Sequence, residues 1–298
     1  MLPTMKAKPT IAIVGAGNLG TALAISLHSA GYTLSEVVSR EGKSSRQHAR
    51  TLARRVGAHA TTLRNPKITA DVIWLCVPDR DIGPCAGTLA KSISWTKKIA
   101  LHSSGVLSSD EIAVFRDRSA SIASAHPLMT FVPGVTPSLA GVSFAVEGDA
   151  AAVRVVRSLV VALGAKAFLM TKQNKAAYHA WGTFASPLLT ALLAVSERVA
   201  EAAGVDRAQA RQRMLPIVRQ TVENYAKQGS ARAFSGPIVR GDAETVAKHL
   251  DVLERVPGAL EVYRALALAA LRTLPVKNRG RLEKVLRERR RGKPASGK

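Results

Sequence analysis

Ile11-Ala12-Ile13-Val14-Gly15-Ala16-Gly17-Asn18-Leu19-Gly20 is the stretch on which the reading of this chain turns. Four consecutive apolar residues mark a strand buried on both faces, and they run straight into a G-x-G-x-x-G spacing and an amphipathic segment over 18–30. Each glycine then has a mechanical task. Gly15 permits a tight turn, Gly17 lets the backbone approach a pyrophosphate, and Gly20 allows close packing of helix on strand. Asn18 and Leu19 open the helix whose first N–H groups face the anion. The same spacing also serves as a plain strand-to-helix turn that binds nothing. The buried strand before it and the helix after it favour a dinucleotide.

Outward from this turn, apolar segments at 34–39, 59–63, 72–77, 98–102, 121–124, 142–146 and 165–169 alternate with helix-length segments such as 44–56, 108–118 and 150–163. That is the α/β pattern of a doubly wound parallel sheet with helices on both faces. Beyond residue 171 long helical patterns take over, at 174–203, 206–228, 242–255 and 257–274, followed by a short basic helix to 291. Asp206 and Asp242 are the expected N-caps, and Gly204 and Gly229 the expected stops. Pro187 and Pro216 fall inside two of these patterns and predict kinks or breaks. The expected organisation is a dinucleotide-binding domain over 1–171, an all-α domain over 172–276 and a basic tail over 277–298.

At 298 residues the chain is near the size where a single core stops growing, and with 47% hydrophobic and 21% charged residues it is no disordered chain. Charge is its anomaly: 43 Lys and Arg against 21 Asp and Glu give +22. Residues 272–298 carry +9 of this, so nucleic acid enters as a partner only through the tail. Cys76 and Cys85 form neither a disulfide framework nor a zinc knuckle, and the seven histidines show no HxxxH or HExxH pair, so no metal is expected. The longest nearly uncharged apolar stretch, 186–195, is about half of what a membrane span needs, and the N-terminus lacks a signal-type apolar block. The expectation is a cytoplasmic protein with no membrane association.

The end of the second strand bears on cofactor choice. An acidic residue there would hold the ribose hydroxyl of NAD, but Val37-Val38-Ser39-Arg40 is followed by Lys43, Ser44, Ser45 and Arg46. Hydroxyls and cations suit a 2′-phosphate, so Ser39 and Arg40 point to NADP(H); the alternative is a solvated loop. Later strand ends should carry the chemistry. Val77 and Pro78 end the fourth, His102-Ser103-Ser104-Gly105 the fifth, and Ala125-His126-Pro127 the sixth. Val77, Pro78 and Ser103 are expected along the cofactor, and His102 and His126 are candidate proton carriers unless they merely hold their loops. Lys175, His179, Gly182 and Ser186 share a helical stripe with Tyr178 beside it. Lys175 and His179 join the catalytic candidates, and Tyr178 is a candidate substrate contact. Arg240, in 235–242, either touches a neighbouring domain or holds a substrate anion. Clustered cations make an anionic substrate the expectation.

Taken together, Gly15 to Gly20, Val77-Pro78-Asp79, His102-Ser103-Ser104-Gly105, Ser124-Ala125-His126-Pro127-Leu128, Tyr178-His179 and Gly236-Pro237-Ile238-Val239-Arg240-Gly241-Asp242 resemble the bacterial family that joins a Rossmann-like domain to a DUF2520 domain. The resemblance spans about 10–274. It implies an N-terminal Rossmann doubly wound sheet, an all-α C-terminal domain, and kinship with the 6-phosphogluconate dehydrogenase-like and pyrroline-5-carboxylate reductase-like proteins. Members are labelled NADP oxidoreductases. The family usually has Asn after the Ala-Ser of the junction helix, where this chain has Pro187. The expected function is hydride transfer between NADP(H) and a small carbonyl, imine or hydroxy acid. The alternative is a noncatalytic NADP(H)-binding protein with a sensing or scaffold role. A homodimer built by the Ala- and Leu-rich helical domain is expected in either case.

Overall fold

The computed structural model describes residues 8–288. Its first strand, β1 (Ile11–Val14), is completely buried, as four apolar residues without alternation require. Around it run β2 (Leu34–Ser39), β3 (His59–Thr62), β4 (Val72–Leu75), β5 (Ile99–His102), β6 (Ser121–Pro127), β7 (Ser143–Gly148) and β8 (Lys166–Leu169), in the sheet order β3-β2-β1-β4-β5-β6-β7-β8. All eight expected strands are present. The order reverses beside β1, which opens a crevice at the strand ends there.

The sheet is not parallel throughout, as the sequence reading expected: β7 runs antiparallel to β6. The reason lies in the connection. No helix separates these strands, and a chain that returns without a crossover pairs antiparallel. A helix does separate β7 from β8, and these two are parallel.

Five helical segments cover the two faces. One face carries α1 (Asn18–Ser29), α2 (Lys43–Arg55) and α4 (Ala150–Ala162), with Leu23, Leu52 and Val156 in the core. The other carries α3 (Asp79–Ser92) and a 3-10 helix (Ser109–Arg118), which bury Ile82, Leu89 and Phe115. The 3-10 form corrects the regular helix expected over 108–118; Ile112 leaves helical geometry inside it.

The chain divides into two compact units between Ser186 and Pro187, so α5 (Lys175–Ala185) counts with the sheet. The second unit holds α6 (Pro187–Ala202), α7 (Arg207–Ala233), α8 (Pro237–Arg240), α9 (Ala243–Leu253), α10 (Ala259–Thr273) and α11 (Arg279–Arg287). Asp206 and Asp242 cap α7 and α9 through their carboxylates. Pro187 breaks the long pattern as expected. Pro216 does not end α7, because it lies on an exposed stretch where water can satisfy the freed carbonyl, and the interruption falls at Gly229 instead. Leu282 and Leu286 of α11 are buried with Val246, Leu250 and Leu271. The start of the expected basic tail is therefore part of a helical core, and 289–298 lie outside the described residues. Among the described residues no helix is long and apolar enough to cross a membrane.

Among the described glycines of the first unit, the tightest place for a side chain is at the glycine turn. A Cβ on Gly20 would overlap the Gly15 carbonyl oxygen, and Gly15 itself has φ +104°. Gly20→Ala should therefore destabilise the protein by roughly 1–3 kcal/mol through overpacking, read as a lower urea midpoint at unchanged slope.

Candidate functional site

Beside the glycine turn lies a cavity of about 460 Å³, lined among others by Gly15, Gly17, Ser39, Arg40, Ser45 and Val77. Three features fit a dinucleotide phosphate chain here. A Cβ on Gly17 would meet nothing within 4 Å, so the backbone is open to a ligand. The first turn of α1 has no acidic residue and no side-chain cap, which leaves its N–H groups to an anion. The Ser39 hydroxyl is buried without a hydrogen-bond partner. Arg40 donates from Nε to Ser45 Oγ at 3.3 Å, so the expected cation and hydroxyl do converge. Ser45 and His48 line the cavity as well, and His48 was not singled out in the sequence. Its place on α2 beside this cavity has no signature in residue type.

Other expected cofactor residues are partly committed to the protein. Asn18 donates to the Phe131 carbonyl at 3.2 Å, tying α1 to the loop after β6. Leu19 packs against the core. Ser103 accepts from the Trp74 indole at 2.8 Å and keeps its own proton for another partner. Val77 and Pro78 line the cavity.

The four catalytic candidates from the sequence all belong to the first unit, and they fall into two groups. His102 is wholly buried; its Nδ1 accepts from Ser104 N–H at 3.1 Å and its Nε2 lies 2.9 Å from the Ser108 carbonyl. With both nitrogens on backbone it clamps the loop after β5, and a ring so placed has no nitrogen for a substrate. Lys175 is also buried, its Nζ donating to the Ser104 carbonyl at 3.0 Å and to Ser124 Oγ at 2.7 Å, with Glu147 Oε1 at 3.9 Å. Burial lowers its pKa while Glu147 opposes that shift. Glu147 in turn accepts from Ser109 N and Oγ at 2.7 and 2.8 Å. The sequence reading missed Glu147, although a lone acid in the apolar run Phe144-Ala145-Val146-Glu147 is the signal of a buried carboxylate in need of a partner.

His126 and His179 form the second group, with ring centroids 5.9 Å apart and planes at 85°. A Cβ on Gly105 would overlap the ring of His179 and lie 3.0 Å from His126 Nε2, so the bare glycine is what admits both imidazoles. His126 is half-buried, and His179 is exposed. Tyr178, expected to contact substrate, is instead buried with its hydroxyl on His126. Burial, then His179 and Lys175, push the His126 pKa down to about 4, and burial does the same for His102. Arg240 lies exposed at the end of α8 in the second unit. Among the described residues no cluster of His, Cys, Asp and Glu could hold a metal ion.

Residues 10–100, which hold the glycine turn, Ser39 and Arg40, match the family described as NADP oxidoreductase, coenzyme F420-dependent. Residues 142–270 match DUF2520, a domain of unknown function. These are likenesses of two separate segments of the chain, and His126 lies between them. The fold recurs in a candidate NADP oxidoreductase from Bacteroides fragilis, with a TM-score of 0.74, 20% identity, and 88% of this chain and 97% of that one covered. It recurs in an imine reductase from Pseudomonas sp., with a TM-score of 0.62, 18% identity, and coverage of 94% and 100%. A reductive aminase from Aspergillus terreus in complex with NADPH and ethyl-5-oxohexanoate gives a TM-score of 0.59, 14% identity, and coverage of 94% and 100%. At these identities the likeness is one of fold. No curated protein matches the chain significantly.

The two depressed histidines set an acid limit on stability. Between the ordinary value of 6.5 and about 4, the unfolded chain binds protons that the folded protein refuses. Their contribution is complete above pH 6.5 and is lost as pH falls through about 4. Urea midpoints measured stepwise from pH 7 to 4 should fall through this window, and the fall should be shallower in His102→Gln.

Proposed function

We propose that the protein transfers a hydride between NADP(H) and a small carbonyl, imine or hydroxy-acid substrate, with His126 as the proton-exchanging group. The observation that carries this reading is a half-buried, neutral imidazole at the end of β6, in a sheet whose β1 end carries an open glycine turn. The named activities of the imine reductase and the reductive aminase support a C=N or C=O group as the acceptor. In this reading Gly15 and Gly17 hold the pyrophosphate, and Ser39, Arg40 and Ser45 hold the 2′-phosphate. Bound NADPH supplies the hydride. His179 flanks His126, while His102 and Lys175 keep the strand-end loops in place.

Titration with NADPH and NADH, followed by NADPH oxidation with a panel of keto acids and imines, tests this directly. NADPH should bind far better than NADH, and Arg40→Asp should erase the difference, a charge-assisted contact being worth about 1.5–3 kcal/mol. His126→Ala should lower kcat by roughly 10²–10⁴-fold with NADPH affinity unchanged. Equal binding of the two cofactors contradicts the 2′-phosphate assignment. Tight NADPH binding without turnover of any compound favours the noncatalytic alternative.

Assembly as a homodimer belongs to the same proposal. The helix α7 buries only Ala210 in its 27 residues, and Leu215, Ile217, Val222 and Tyr225 stand exposed along it. Apolar surface on this scale is characteristic of an interface, and a second copy of the chain supplies a matching one. Light scattering at micromolar concentration should give twice the mass of the chain. Ile217→Asp with Tyr225→Asp should give the single mass, and a monomeric wild type contradicts the proposal.

A further inference from the structure

Tyr178 and His126 touch twice. The Tyr178 hydroxyl oxygen lies 3.0 Å from His126 Nδ1 and 3.2 Å from the His126 backbone carbonyl. A carbonyl can only accept, and a phenol has one proton. Both contacts are satisfied only if Tyr178 donates to the carbonyl and accepts from Nδ1–H. Burial favours the required phenol form, pushing the Tyr178 pKa up to about 12. The neutral ring then bears its proton on Nδ1 and its lone pair on Nε2. Among the described residues Nε2 has no hydrogen-bond partner, and it lies beside Gly105 and next to His179.

His102, at the neighbouring strand end, holds the reverse arrangement. Its Nδ1 accepts from Ser104 N–H, so its proton sits on Nε2 and goes to the Ser108 carbonyl. One histidine turns both nitrogens inward to backbone. The other leaves a lone pair unused.

We propose that Tyr178 is a positioning residue that holds His126 as the Nδ1–H tautomer, so that Nε2 presents an acceptor to a substrate N–H or O–H, an iminium nitrogen or a hydroxyl. This rests on the reading of His126 as the proton-exchanging group and narrows it. In reduction of an iminium, the hydride from NADPH, which becomes NADP⁺, adds to carbon. The C=N π pair moves onto nitrogen, and the nitrogen keeps the proton it shares with Nε2. In the opposite sense, a hydroxyl gives its proton to Nε2 as its carbon gives a hydride to NADP⁺, forming a carbonyl and NADPH. A neutral carbonyl reduced at the same place needs a proton on oxygen that this tautomer does not carry at Nε2.

The tautomer is read by long-range ¹H–¹⁵N correlation on the full chain with ¹⁵N-labelled histidine at neutral pH, the His126 signals being those lost in His126→Gln. A pyrrole-type Nδ1 and a pyridine-type Nε2 are expected. In Tyr178→Phe, which removes the acceptor, both resonances should move toward the average of exchanging tautomers. A pyrrole-type Nε2 in the wild type, or an unchanged pattern in Tyr178→Phe, overturns the proposal. If Tyr178→Phe does not fold, the wild-type spectrum still decides. In the NADPH oxidation assay, cyclic iminium compounds should exceed matched neutral ketones in kcat/KM by at least roughly tenfold, and the reverse preference overturns the substrate half. The spectra need no substrate, so failure to find any turnover removes the functional reading and leaves the tautomer assignment standing.

Discussion

An ammonium group taken out of water needs compensation inside the protein, and at Lys175 two hydrogen bonds and an ion pair supply it from three successive strands and their loops. Ser104 follows β5, Ser124 lies in β6 and Glu147 lies in β7. Glu147 is itself fixed by the backbone and hydroxyl of Ser109, at the start of the 3-10 helix. Such a pair gains little net stability, because the desolvation of both charges offsets their attraction, yet removing one partner costs about 3–5 kcal/mol. Its effect is geometric. Fixing the first residue of α5 to three strands sets where the next turn falls, and that turn carries Tyr178 to His126 and His179 to Gly105.

The antiparallel joint belongs to the same arrangement. In the register of β6 and β7, Glu147 lies opposite Ser124 and Ala145 opposite His126. Because β7 runs against β6, a carboxylate near its end comes back beside Ser124, where Lys175 meets both. The bare Gly105 completes the picture from β5, since any side chain there would displace the two imidazoles. Each strand from β5 to β7 thus contributes one constraint, and β1 contributes the open turn.

What could be read in advance follows from what residue type encodes. Buried strands announce themselves by apolar runs and the more exposed β3 and β8 by their place in the alternation with helices, so all eight were legible, but a run has no direction and the antiparallel joint was not. Pro187 broke its helix as expected, whereas the same residue type at 216 sat where solvent could satisfy the backbone. The glycine turn was legible because each glycine answers a steric demand. His102 and His126 looked equivalent because both end strands; their difference lies in which ring nitrogens meet backbone. Lys175 read as a catalytic candidate on a polar helical stripe, since a helix of Lys-Ala-Ala-Tyr-His does not say which side a sheet will cover.

Three groups able to carry positive charge, Lys175, His102 and His126, share one desolvated neighbourhood. They cannot all be ionised, because each cation there repels the others at low effective dielectric. The charge settles on the group with a carboxylate beside it, and that is Lys175 with Glu147. Lys175 then helps hold His102 and His126 neutral, adding to the effect of burial. Neutral imidazoles are tautomers rather than symmetrical cations, so which nitrogen keeps the proton is set by local hydrogen bonds. The Ser104 loop decides it for His102 and Tyr178 for His126. Burial first, then His179 and the charge this pair retains, keep His126 neutral, and Tyr178 then leaves its other ring nitrogen to accept a hydrogen bond.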